Sequence, residues 1–129
     1  ESKKMKAFID SNVIIKAFTE NSDKEKCRKI LYEELITTSL CLVEAQHGIS
    51  LIIGNKILAS HCIKSLFKRN ITIVQLDKNL LFESFKKIDK YNLNIFDLIN
   101  YVAALSNNCS EFISYDKHFN NLEIKRVEP

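Results

Sequence analysis

The sequence predicts an α/β fold with a central, mostly parallel sheet of four to five strands, flanked by helices on both faces. Short, continuously apolar runs alternate with longer segments of helical periodicity, as in chains of βα units. Only 2 Gly and 1 Pro occur, too few for a many-turned all-β chain. With 129 residues, 46% of them hydrophobic, the chain is predicted to form one domain over residues 1–129 with a single core.

The first third of the chain predicts a strand, two helices and a second strand. Apolar residues predict a strand over 6–10, and their spacing then becomes helical over 11–18. N-cap candidates at 21–23 open a charged helix that is predicted to reach Leu35. The β-branched run at 36–38 predicts the second strand.

The middle third predicts two helices and a third strand. Ser39 is the expected cap of a helix over 40–53, which is apolar over most of its circumference and ends at Gly54. A further helix is predicted over 56–68, and the β-branched run 71–76 predicts the third strand. The helix over 56–68 is expected to bury Ile57, Leu58, Ile63 and either Leu66 or Phe67.

The last third predicts two helices and up to two strands. A helix over 80–91 is followed by a polar break, and a nearly all-apolar helix is predicted over 95–106. Residues 112–114 predict a fourth strand, and 124–127 a short fifth strand.

The composition predicts a cytoplasmic protein with no membrane span. The formal net charge of +3 permits a nucleic-acid partner without requiring one. The 4 cysteines lie far apart without a CxxC pair, which indicates reduced thiols, and no apolar run is long enough to cross a bilayer. Residues 1–4 precede Met5 and are expected to be a tail without function.

Four acidic residues interrupt apolar patterns: Asp10, Glu44, Asp97 and Asp116. Each has a local explanation as a helix cap, a rim residue, a partner of a helix dipole or a turn residue, respectively. Asp10 and Asp116 follow the first and fourth strands, and the carboxyl ends of parallel strands are where sites form. Asn100 lies one helical turn from Asp97 on the same face.

Several carboxylates in one pocket are typical of sites for hard divalent cations. Mg²⁺ and Mn²⁺ prefer oxygen ligands and are commonly shared between carboxylates and substrate phosphates. Without a cation, clustered carboxylates raise one another's pKa values. A cation bound by such a cluster can promote phosphodiester hydrolysis.

The four acidic residues lie in the segments FIDSNVI at 8–14, SLCLVEA at 39–45, FDLINYVAA at 96–104 and SYDKHF at 114–119. These segments resemble the motifs of PIN domains, in the same order and in the same secondary-structure context. The resemblance extends from residue 6 to residue 129. It implies the three-layer PIN-like fold.

The resemblance also implies an Mg²⁺- or Mn²⁺-dependent endoribonuclease, in which Asp10, Glu44, Asp97 and Asp116 hold the metal directly or through water. Ser114 stands where the family usually has Thr and keeps the hydroxyl. The residues expected to support the ligands are Ser11, Asn12, Asn100 and Ser114. A single domain of this length most resembles the VapC-type toxins of toxin–antitoxin modules, which implies an RNA substrate, a homodimer and a small antitoxin partner.

Other interpretations stay open at this point. Single PIN domains also serve RNA processing and decay, and a PIN-like fold can act as a non-catalytic RNA- or protein-binding scaffold. A receiver-type signalling domain would use Asp77 as the phosphoacceptor and Ser114 as its hydroxyl switch, but it leaves Glu44 and Asp97 unexplained.

Several residues near the four acids are candidates for contacts with substrate. Lys16, Lys117 and His118 could reach a phosphate, and Tyr115 and Phe119 could stack on a base. Phe119 is also a candidate for the core.

Overall fold

A computed structural model describes residues 6–129, so the predicted tail at 1–4 lies outside the described residues. The strands are β1 (Ala7–Ile9), β2 (Leu35–Thr38), β3 (Ile71–Val74), β4 (Glu111–Ile113) and β5 (Lys125–Val127). The helices are α1 (Ser11–Ala17), α2 (Lys24–Ile30), α3 (Ser39–Ile53), α4 (Lys56–Ser65), α5 (Lys78–Lys86) and α6 (Ile95–Ser106). Short 3₁₀ turns cover Leu66–Lys68 and Lys117–Phe119.

The five strands form one sheet in the order β3-β2-β1-β4-β5, and every neighbouring pair is parallel. Because all strands run the same way, their carboxyl ends meet at one edge. Ile9 pairs with Ile113, so the residues that follow β1 and β4, Asp10 and Ser114, emerge side by side. The predicted parallel sheet is confirmed, and its register brings the first and last motifs together.

Helices cover both faces of the sheet, as predicted. Alternate strand residues point to opposite faces, so Phe8 joins a cluster with α5 and α6, and Ile9 joins a cluster mainly with α1–α4. Aromatic rings fill the first cluster, where the Phe112 and Phe119 ring centroids lie 4.2 Å apart. Tyr101 is fully buried against both rings and its hydroxyl accepts the Ile124 N–H.

Two predicted helices have wrong boundaries. The second helix ends at Ile30 rather than Leu35, because Leu35 pairs with Ile71 as the first residue of β2 and donates its N–H to the Asn70 carbonyl. The fifth helix spans Lys78–Lys86 rather than 80–91, and it starts early because the Asp77 side chain caps it by accepting the Leu80 N–H.

Three smaller differences concern the ends of elements. β3 stops at Val74 rather than residue 76, because the Leu76 N–H turns away to the Ser39 hydroxyl. The cap of α3 is Thr38 rather than Ser39, and α4 ends at Ser65 before a 3₁₀ turn. Gly54 ends α3 as predicted, with φ of 68° in the left-handed region that glycine tolerates.

The buried face of α4 differs from the prediction. Ala59, Ile63 and Leu66 are buried, whereas Ile57 is 67% exposed and Leu58 49% exposed. The buried residues recur at helical spacing on the face toward α3 and the sheet, which leaves Ile57 and Leu58 outside. Among residues 6–129, no helix is long and apolar enough to span a membrane.

An exposed apolar groove runs between α3, α4 and the end of β3. We call it the α3–α4 groove, and it has a volume of about 540 Å³. Its apolar lining consists of Leu42, Val43, Ile63, Phe67 and Ile73. Val43 and Phe67 are each more than 60% exposed, which is a large apolar surface for one face of a small domain.

Candidate functional site

Asp10 lies at the carboxyl end of β1, is 5% exposed, and caps α1. Its Oδ1 accepts the Ser11 N–H at 2.8 Å and the Cys41 thiol at 3.8 Å. Its Oδ2 accepts the Ser114 hydroxyl at 2.7 Å and the Asn12 amide at 3.3 Å. These four donors occupy the roughly four acceptor positions of a carboxylate, so Asp10 is both a helix cap and the most constrained of the four acids.

The Ser114 hydroxyl joins the ends of β1 and β4. Besides donating to Asp10, it accepts the Asp116 N–H at 3.0 Å and the Asn12 amide at 3.1 Å. The Asn12 carbonyl in turn accepts the Tyr115 N–H at 3.1 Å. Ser114 is fully buried, so its hydroxyl holds the segment that carries Asp116 in a defined position beside Asp10.

Glu44 projects from α3 and is half-buried. The pKa of Glu44 is raised mainly by burial and further by the negative charges of Asp10 and Asp97. Hydrogen bonds from Asn100 and Ser11 lower that pKa, but by less. Asn100, which is 1% exposed, lies on the neighbouring helix α6 close enough to influence the pKa of Glu44.

Asp97 lies in the first turn of α6, where Asn94 is the N-cap. The side-chain oxygen of Asn94 accepts the backbone N–H of Asp97 at 2.9 Å, and the side-chain amide of Asn94 donates to Asp97 Oδ2 at 3.3 Å. Burial, followed by the charges of Asp10 and Asp116, raises the pKa of Asp97 to about 6. Asp97 therefore interacts favourably with the dipole of α6 at its N-terminus, but its carboxylate is repelled by the charges of Asp10 and Asp116.

Asp116 caps the 3₁₀ turn after β4, with its Oδ1 accepting the His118 N–H at 2.9 Å. The His118 Nδ1 lies 3.1 Å from the same oxygen. One ligand atom from each of Asp97, Asp116 and His118 lies within 4.8 Å of the other two, a spacing that suits a metal ion. Lys117 is exposed next to this group.

Asp10, Glu44, Asp97 and Asp116 therefore lie at the carboxyl edge of the sheet, close enough that their charges affect one another's pKa values. Burial raises the pKa of Asp10 despite its hydrogen bonds from Ser114 and Ser11. Within residues 6–129, none of these four carboxylates forms an ion pair with a lysine or arginine. The arrangement concentrates negative charge that a divalent cation would neutralise.

Two of the candidate substrate contacts are already engaged. The Lys16 Nζ lies 3.8 Å from Asp23 Oδ2 and 5.0 Å from the centroid of the Tyr115 ring, so one face of that ring is covered by the ammonium group. Phe119 is fully buried in the aromatic cluster and cannot stack on a base. Phe119 therefore offers no stacking surface, and Tyr115 has one ring face next to the Lys16 ammonium group.

Three further residues in the site were not among the predicted ones. Cys41 precedes Glu44 by one helical turn, a spacing that could have identified it, and its buried thiol donates to Asp10. Thr38 donates to the Asn100 carbonyl at 2.6 Å and accepts the Cys41 N–H. Arg126 donates to the Ser114 carbonyl at 2.8 Å, a contact between β5 and the end of β4 that no local pattern indicates.

A family model described as PIN domain matches residues 7–125. No curated protein matches the chain in a comparison of sequences. The family match covers nearly the whole sheet and all six helices described above.

Solved structures with a similar fold include toxins. The crystal structure of Mycobacterium tuberculosis VapC20, a sarcin–ricin loop cleaving toxin, has a TM-score of 0.79 and 11% identity, covering 95% of this chain and 99% of that one. A toxin–antitoxin complex from Klebsiella pneumoniae has a TM-score of 0.73 and 15% identity, with 94% and 95% covered. VapBC2 from Rickettsia felis, bound to a DNA fragment from its promoter, has a TM-score of 0.69 and 14% identity, with 96% and 98% covered.

Proposed function

Because this chain belongs to the PIN domain family, we propose that it is a divalent-metal-dependent endoribonuclease that hydrolyses RNA phosphodiester bonds. The observation that carries the proposal is the group of four carboxylates at the carboxyl edge of the sheet. The pKa values of Asp10, Glu44 and Asp97 are raised by burial and by the mutual repulsion of these groups. Such a cluster is stabilised when a cation binds it.

The donor set suits Mg²⁺ or Mn²⁺. Carboxylate oxygens predominate, and Asp97 and Asp116 are half-buried, so they remain open to solvent and to a substrate phosphate. When bound, the cation would act as a Lewis acid toward the phosphodiester and the attacking water. The metal candidates among the described residues are Asp10, Glu44, Asp97 and Asp116, with Asp10 acting most readily through water because its acceptor positions are filled.

The remaining residues of the site orient the ligands and receive the substrate. Ser11, Asn12 and Ser114 hold Asp10, and Asn100 holds Glu44. Lys117 is exposed beside Asp116, which supports a role in contacting an RNA phosphate. Lys16 could do so only after leaving Asp23.

The direct test is cleavage of labelled single-stranded RNA. We expect cleavage with Mg²⁺ or Mn²⁺, loss of cleavage in EDTA, and recovery when Mn²⁺ is restored, because the carboxylates alone repel the phosphodiester. Cleavage that is unaffected by EDTA would contradict metal dependence. RNA binding without cleavage in every metal would instead support a non-catalytic scaffold.

We also propose that the nuclease is the toxin of a toxin–antitoxin module. Support comes from the family match and from the fold that the chain shares with VapC20 and VapBC2. Induced expression in a bacterial host is expected to arrest growth, whereas the Asp116→Asn variant, expressed at the same level, should leave growth unchanged. Normal growth with an active nuclease would favour a role in RNA processing or decay.

The partners proposed with this role are a second copy of the chain and a small antitoxin, in the cytoplasm. The exposed α3–α4 groove supports a protein partner, since apolar surface of this kind is typical of interfaces. Light scattering on the purified protein is expected to give the mass of a dimer. A monomer at all accessible concentrations would contradict the homodimer.

A further inference from the structure

We propose that His118 is a direct ligand of the metal, together with Asp97 and Asp116, and that its imidazole shifts the preference of the site from Mg²⁺ toward first-row transition ions such as Co²⁺. The inference rests on the proposed function in one respect, namely that the acidic site binds a divalent cation. It adds a nitrogen ligand to a site that the four acids alone would make an all-oxygen site.

The three residues already have nearly the spacing that coordination needs. Ligand atoms about 2.1 Å from a cation lie at most about 4.2 Å from one another. One ligand atom from each of Asp97, Asp116 and His118 lies within 4.8 Å of the other two. Side-chain adjustments of about half an ångström would therefore be sufficient for binding.

The position of His118 is set by its surroundings, although its side chain is 74% exposed. The backbone N–H of His118 donates to Asp116 Oδ1. The next residue, Phe119, is fully buried against Phe112. The 3₁₀ turn is thus anchored on both sides of His118, and its Nδ1 lies 3.1 Å from Asp116 Oδ1. This distance fits an Nδ1–H hydrogen bond to the Asp116 carboxylate, so ligation through Nδ1 requires that the metal ion replace that proton.

The hydrogen bonds of Asp10 make it a poor direct ligand of the metal. Its two oxygens already accept four hydrogen bonds, so its negative charge can attract a metal ion but no lone pair is left free to coordinate it. Asp97 and Asp116 accept fewer hydrogen bonds from the described residues, and they face His118. Among the described residues, Asp97, Asp116 and His118 are the group whose ligand atoms lie within reach of one ion, and Glu44 is not part of that group.

A mixed oxygen and nitrogen set has a predictable metal preference. Mg²⁺ favours oxygen ligands and retains its waters, whereas imidazole favours the later first-row ions. Removing the imidazole should therefore weaken Co²⁺ binding more than Mg²⁺ binding.

The test is calorimetric titration of the full chain with Co²⁺ and Mg²⁺, with His118→Ala and the control His61→Ala, which removes an exposed histidine from α4. We expect His118→Ala to weaken Co²⁺ binding about tenfold, or about 1.4 kcal/mol, and to change Mg²⁺ binding much less. His61→Ala should change neither. Pulsed electron paramagnetic resonance of bound Mn²⁺ should show coupling to an imidazole nitrogen that is lost in His118→Ala.

Equal losses for both ions, or no loss for either, would overturn the assignment of His118. If the unaltered protein still cleaves RNA with metal in that case, the proposed function stands and only the ligand assignment fails. If the unaltered protein binds neither ion, both the proposed function and the ligand assignment fail.

Discussion

Replacing Asp97 with asparagine is expected to raise the melting temperature of the metal-free protein and, at the same time, to reduce RNA cleavage by roughly a hundred- to a thousandfold. The amide keeps the shape of the side chain and can still accept a hydrogen bond from Asn94. It removes a charge that burial and the neighbouring Asp10 and Asp116 disfavour. The same charge is what a metal would require.

The raised pKa of Asp97 also predicts how the stability of the metal-free protein changes with pH. The pKa of Asp97 is raised from 3.8 to about 6 in the folded protein. Between those values the folded state holds more protons than the unfolded state, so this group makes the metal-free protein less stable as the pH rises through that window. Thermal melts in EDTA should show a decrease in stability from acidic to neutral pH that is smaller in Asp97→Asn.

The control for this experiment is Asp89→Asn, which changes an exposed aspartate after α5. It should leave both the melting temperature and its pH dependence nearly unchanged. If Asp97→Asn lowers the melting temperature at neutral pH, the repulsion inferred from the geometry is wrong.

Replacing Ser114 with alanine is expected to destabilise the metal-free protein by about 2–3 kcal/mol. The hydroxyl is fully buried and donates a 2.7 Å hydrogen bond to the Asp10 carboxylate. Alanine leaves that carboxylate with one donor fewer and leaves the Asp116 N–H without its acceptor. Urea denaturation in EDTA measures the loss, and RNA cleavage should fall as well because Asp10 and Asp116 are less well oriented.

Ser110→Ala is the matched control, since that hydroxyl is exposed and makes a longer hydrogen bond of 3.2 Å to the Lys6 carbonyl. Its expected effect is below about 0.5 kcal/mol. A loss in Ser114→Ala no larger than this would show that the Ser114 hydroxyl does not stabilise Asp10.

The fold class could be predicted because apolar periodicity is a local property of the chain. The wrong end of the second helix depends on a partner that is distant in sequence. Leu35 fits the apolar stripe of a continued helix, and only its pairing with Ile71 assigns it to β2. Ile57 and Leu58 look like core residues for the same reason, but α4 packs with a different face toward α3.

The receiver-type interpretation fails on similar grounds. It required Asp77 as a phosphoacceptor, whereas Asp77 caps α5 after β3, an edge strand of the sheet. The family match over residues 7–125 places the chain in a different class.

The amino-acid pattern alone indicates that acidic residues follow the first and fourth strands and that two more lie on apolar helices. A parallel sheet then has to gather the strand ends at one edge, whatever the details of packing. How the carboxylate site is hydrogen bonded depends on contacts between residues that are distant in sequence. The Asp10–Ser114 hydrogen bond joins residues 104 positions apart, the Thr38–Asn100 bond joins residues 62 apart, and His118 approaches Asp97 only because Phe119 is anchored in the core. Hydrogen bonds and coordination depend on fractions of an ångström, and such distances are determined by packing between elements that no local pattern records.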